Sequence, residues 1–138
     1  YTYDADAGTV TATYGDATAK AHADANATDR DGVELDPVVV IEGLKTKKIK
    51  IIKAQAAGIL EKTDWYILRK ADADTDVPSA ITTFRAAVRT KAAAMETLVT
   101  NASNTAAIQT LYTYVNTADE GDPVVMERPL GEFPVLGS

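Results

Sequence analysis

The sequence contains no cysteine, which excludes a disulfide framework and thiolate chemistry. Its only histidine is His22, so no histidine pair is present to hold a metal, and His22 itself reads as a surface residue. No apolar run approaches the roughly 20 residues of a membrane span. No signal peptide is visible, and the first residue, Tyr1, fits a processed or truncated chain. There is no glycine-rich phosphate loop and no Gly-x-Ser-x-Gly elbow. Carboxylates are plentiful, but they lie in acidic stretches with nothing to indicate that two of them face one cleft. Aromatic residues make up only 7% of the chain, and Trp65 is the single tryptophan. The residues alone therefore point to a non-enzymatic interaction module, with no cofactor and no metal expected.

The 138 residues suit one domain, and a hydrophobic fraction of 46% argues for a real core, thinned by abundant alanine and threonine. Charge is segregated. Residues 1–43 hold nine acids and two bases, residues 44–100 hold eleven bases and six acids, and residues 101–138 hold five acids and one base. An overall charge of −6 disfavours nucleic acid and anionic membranes as partners. The basic middle is expected to be covered by the acidic ends or by an acidic partner surface.

Tyr1 to Tyr14 reads as a β-hairpin. Tyr1 and Tyr3 alternate with polar positions, Asp4 to Gly8 form the turn, and Val10, Ala12 and Tyr14 share a face. A further short strand is possible over Ala17 to Ala21. The stretch Ala23 to Pro37 reads as a solvated acidic loop with a turn at Asp31-Gly32. Asp29, Asp31, Glu34 and Asp36 invite a calcium reading. Counted from Asp29, however, the sixth position is Glu34 and the twelfth is Val40, so the EF-hand pattern is not met. Val38 to Ile41 is either a strand or the lead into a helix; the run alone does not decide.

A helix is expected from Leu44 to Lys62, with Ile49, Ile52, Ala56, Ile59 and Leu60 as its apolar stripe and a solvated lysine-rich face. Thr63 or Asp64 should cap a short helical turn over Trp65 to Lys70. Trp65 is expected to anchor the packing between helices. Ala71 to Asp76 reads as an acidic linker. The next helix should open at Asp76 or Val77, with Pro78 in its first turn. It should run to about Asn101 with Ile81, Phe84, Val88, Ala92, Met95 and Val99 inward. Arg85 and Arg89 are expected on its flank, pairing with Asp64 or the linker, although with Arg69 they offer a possible phosphate or carboxylate site. A last helix, capped by Ser103 or Asn104 and marked by Ile108, Leu111, Tyr112 and Val115, should end near Asn116. Thr117 to Ser138 is rich in proline and glycine and reads as an extended arm, with a possible strand at Val124 to Met126. Leu130, Phe133, Val135 and Leu136 suit docking on this domain or a neighbour.

The expected fold class is therefore α+β, in three regions: a hairpin and acidic loop at 1–43, a helical module at 44–116, and a C-terminal arm at 117–138. The run Lys62-Thr63-Asp64-Trp65, then Arg69, Pro78, Phe84-Arg85 and Arg89, resembles the Thr-Asp-Trp … Pro … Tyr-Arg … Arg signature of tail-fibre assembly chaperones of tailed bacteriophages. The match covers roughly residues 50–90. Phe84 stands where tyrosine is usual, and the spacer lacks the family's Leu-Thr-x-Glu-Gln run. The ending from Arg128 to Pro134 is similar to small virion and tail-fibre proteins of marine phages. The resemblance implies that Thr63, Asp64, Trp65, Arg69, Pro78, Phe84, Arg85 and Arg89 form the core of a helical-hairpin binding module.

On that basis the expected function is that of a structural component of a phage virion, made in the bacterial cytoplasm. It would form a homo-oligomer or a multi-copy assembly, bound to tail, fibre or neck proteins. A transient tail-fibre chaperone that leaves before maturation is the alternative, and a small glycan hydrolase a distant one.

Overall fold

The computed structural model of the chain describes residues 2–4, 9–11 and 23–137. Tyr1, the turn at residues 5–8, the face shared by Ala12 and Tyr14, the strand reading of Ala17 to Ala21 and the surface reading of His22 lie outside the described residues. The fold is α+β, with four helices and three two-stranded antiparallel sheets among the described residues. The first sheet is the expected N-terminal hairpin. Its strands β1 (Thr2–Asp4) and β2 (Thr9–Thr11) pair with Tyr3 opposite Val10.

The acidic stretch after it is a second hairpin, not a loop. Strand β3 (Ala25–Asn26) pairs with β4 (Val40–Ile41), and a bridge joins Thr28 to Glu34. Two features turn the chain there. Asp29 Oδ1 accepts the backbone N–H groups of Asp31 and Val33, both at 2.9 Å, and Gly32 takes a left-handed φ of 83°. Val38 to Ile41 thus supplies a strand, but its side chains stay exposed.

Helix α1 (Leu44–Glu61) follows as the sequence predicts. Its first turn has no side-chain cap of its own. Asp24, from the second hairpin, accepts the N–H of Gly43 at 2.7 Å and the hydroxyl of Thr46 at 2.8 Å. The negative charge sits where the helix dipole favours it. The crossing is close, and a Cβ at Gly43 would run into the backbone of Ala23, so glycine is required.

Helix α2 (Asp64–Ala73) is longer than the expected Trp65–Lys70 turn. Ala71 and Ala73 are strong helix formers. Lys70 bonds Asp74 and Asp76 at 2.7 and 2.8 Å, and Asp74 closes the helix in the left-handed region at φ 48°. Helix α3 (Ser79–Asn101) starts later than expected, with Pro78 as its N-cap. Proline disfavours helical backbone in the residue before it, so Val77 cannot open the helix. Helix α4 (Thr105–Tyr112) is capped by Asn104, whose side chain accepts the N–H of Ala107 at 2.8 Å.

Helix α4 stops at Tyr112 instead of Asn116. Val115 and Asn116 form β5 (Val115–Asn116), which pairs with β6 (Met126–Glu127) in a third hairpin. Only Met126 of the expected Val124–Met126 strand belongs to β6. The C-terminal segment is not a free arm. It turns at Gly131, φ 72°, and Leu130 N–H donates to the Leu111 carbonyl at 3.0 Å.

The core lies between α1 and α3. Ile52 and Ala56 of α1 meet Val88, Ala92, Met95 and Val99 of α3, and Leu130 closes the cluster from the C-terminal segment. Ile49, Ile59, Leu60, Phe84, Leu111, Tyr112 and Phe133 lean on it. Burying each large member contributes roughly 1.5–3 kcal/mol. The basic face of α1 is partly engaged: Lys50 pairs with Glu42, and Lys53 lies 3.4 Å from Glu96. No helix among the described residues is long and apolar enough to cross a membrane.

Candidate functional site

The end of α1, the start of α2 and the second turn of α3 meet at one guanidinium. Arg85 lies at i+4 from Ile81 and i−3 from Val88, so it occupies the buried stripe of α3 and not its flank. It is 8% exposed. Its Nη1 reaches the Leu60 carbonyl at 2.8 Å, Thr63 Oγ1 at 2.7 Å and Asp64 Oδ1 at 2.7 Å. Thr63 is itself 2% exposed. It stands at the N-cap position of α2 but does not cap it. Its hydroxyl turns back to the Leu60 carbonyl at 2.9 Å and offers its oxygen to Arg85. A buried cation outbids the exposed N–H groups of α2 for that oxygen. Asp64 sits in the first turn of α2, where the dipole also favours it.

Thr63, Asp64 and Arg85 are thus brought together, with Phe84 beside them. Phe84, Ile59, Lys62 and Thr63 line a groove of about 310 Å³ whose other wall is the C-terminal segment from Phe133 to Leu136. Val135 and Leu136 stay exposed on that wall.

Trp65 does not anchor the helices. It is 49% exposed on α2. Its ring stacks on Tyr66 at 3.8 Å between centroids, and the Arg69 guanidinium lies 5.0 Å from the Trp65 centroid and 5.7 Å from that of Tyr66. An indole placed one residue after Asp64 follows the outward side of α2 once Asp64 is held by Arg85. Pro78 serves only as the N-cap of α3. Arg89 is exposed and makes no hydrogen bond or ion pair with the described residues, so it does not join Arg85 in bracing the hairpin. The three arginines do not form one anion site: Arg85 faces inward, Arg69 lies over rings, and Arg89 stands apart.

A second cluster has no counterpart in the sequence reading. Arg128 lies 5.7 Å from the Tyr112 ring and 5.4 Å from the Tyr114 ring, and Lys48 covers Tyr112 at 4.4 Å. Tyr114 donates to Glu132 Oε1 at 2.5 Å, and Arg128 pairs with Glu132 at 2.7 Å. The Tyr114 hydroxyl bond holds the Glu132 carboxyl below its usual range and pushes the Tyr114 hydroxyl up. Burial raises Tyr112. The cluster ties the third hairpin to α4. The alternation of tyrosine at 112 and 114 with Arg128 four residues before Glu132 was its only trace in the sequence.

Two surfaces remain uncovered. One is the outward side of α2. The other lies on the hairpins: Val38, Val39, Val40 and Ile41 in the second, and Val115, Val124, Val125 and Met126 in the third, are all exposed. Among the described residues no group of three or more histidine, aspartate or glutamate side chains is placed to hold a metal. Compared with known protein families, curated proteins and solved structures, the chain matches none.

Proposed function

We propose that this chain is a non-enzymatic structural component of a tailed-phage particle, binding a tail, fibre or neck subunit through its exposed hairpin strands. The observation that carries the proposal is the run Val38 to Ile41, four successive exposed apolar residues of which the last two pair in a two-stranded sheet. An isolated hairpin is marginal in water, and its open edge is a template for another strand. Strand addition along such an edge is a known way to grip an extended partner. The resemblance of the Thr63–Arg89 stretch to tail-fibre assembly proteins supplies the class of partner.

The buried position of Leu130 favours a second reading. A segment that closes its own core makes the module self-contained, as a transient assembly chaperone would be. Substitution of Val38 and Val40 by lysine tests the binding surface. The doubly substituted chain should fold, because both residues are exposed, yet fail to enter particles. Normal incorporation would remove the second hairpin from the interface.

A further inference from the structure

Helix α2 is the least covered helix of the fold. It has no buried residue, and of its ten residues only Tyr66 is less than exposed. Leu68 lies roughly 200° round the helix from Tyr66. It is 68% exposed. A helix this short is marginal in water on its own, so an apolar side left open asks for a cover.

The order of residues on that side is specific. Trp65, Leu68 and Arg69 fall at i, i+3 and i+4, on one face. With Asp64 the order reads acid, aromatic, aliphatic, base. Turned end for end, this order is its own complement. Asp64 meets Arg69, Trp65 meets Leu68, and both pairs repeat across a twofold axis between Tyr66 and Ile67. That is the requirement of an isologous contact, in which one patch serves both subunits. The charges are available for it. Arg69 has no acidic partner among the described residues. The Asp64 side chain is 52% exposed even while Oδ1 holds Arg85.

We propose that α2 is a self-association surface, on which a second copy of this chain packs its own α2 antiparallel. Arg85 then has a second role, since it fixes the start of α2 in the pose that presents Trp65 and Leu68. The contact is small. A ten-residue helix is about 15 Å long, so the pair falls short of the roughly 800 Å² per partner of a standard interface. The dimer is therefore weak, and several copies on one scaffold would strengthen it. The inference is independent of the particle reading, because it uses only residues of α2.

Sedimentation velocity of the full chain from roughly 5 to 500 µM tests it, read alongside Trp65 emission over the same range. Trp65 is the only tryptophan, so the emission reports this one site. A dimer fraction that rises with concentration is expected, with a blue shift of emission at the same midpoint. Leu68→Asp should abolish both, and Arg69→Glu should weaken association by about tenfold or more. A monomer over the whole range overturns the proposal. So does a dimer whose Trp65 emission stays constant, or one that Leu68→Asp leaves intact. Should Leu68→Asp fold poorly, the emission titration of the unsubstituted chain decides alone.

Discussion

Arg85 Nη1 lies 2.7 Å from Thr63 Oγ1, and this buried pair joins α3 to the junction of α1 and α2. The same nitrogen also reaches the Leu60 carbonyl and Asp64. Removing it takes the cation from the buried Thr63 oxygen and from the part-buried Leu60 carbonyl. Arg85→Ala should therefore lower stability by about 2–4 kcal/mol in chemical denaturation. Arg85→Lys should cost less, because the three acceptors converge on one nitrogen and an ammonium has three donors. Equal losses for the two substitutions would show that an ammonium cannot replace the guanidinium at these three acceptors.

Trp65→Ala should change the unfolding midpoint little, by less than about 1 kcal/mol, because the ring is half exposed and packs on Tyr66 and Arg69 of its own helix. A large indole in a sequence poor in aromatics invites a core assignment. A loss near the roughly 3–5 kcal/mol of a core aromatic would restore that assignment. The structure places the ring outside.

Leu130→Ala should cost about 2–4 kcal/mol. The side chain is 2% exposed and belongs to the same cluster as Ile52, Val88 and Met95. The measurement is again chemical denaturation at equilibrium. A near-neutral result would mean that the C-terminal segment leaves the core in solution.

Stability should also fall in acid through two named carboxylates. The Gly43 N–H, then the Thr46 hydroxyl, hold Asp24 below its ordinary value, and the Tyr114 hydroxyl does the same for Glu132. A folded-state value below the unfolded one contributes stability that is fully present above the ordinary carboxylate range. That stability is lost as pH falls through the lowered value. The gap in melting temperature between the natural chain and Asp24→Ala should thus be widest near neutrality and close in acid. A gap that stays constant with pH would contradict the ionic role of Asp24 at the start of α1.

The sequence made the two long helices legible because their periodicity is strong. Ile52 and Ala56 on α1, and Ile81, Val88, Ala92, Met95 and Val99 on α3, all read as inward and all are buried. Arg85 has the spacing of the same stripe, but its charge argues for the flank; the structure buries it. Trp65 shows the opposite: hydrophobicity says that a side chain wants cover but not whether this chain or another gives it. Leu130 carries no period, since it stands alone between Pro129 and Gly131. Asp24 holds the start of a helix that begins 20 residues later, a contact that no local pattern encodes. The second hairpin was hidden for a similar reason: Ala25 and Asn26 have low strand propensity and pair only because Val40 and Ile41 come back to meet them.

The proposal that this chain belongs to a phage particle is tested most directly by a mass-spectrometric census of purified particles. The account predicts the chain in intact particles at a fixed, multi-copy ratio to a tail, fibre or neck subunit, retained through high-salt washing. Presence in infected-cell lysate but absence from washed particles would contradict it, and would leave the transient chaperone as the reading to pursue.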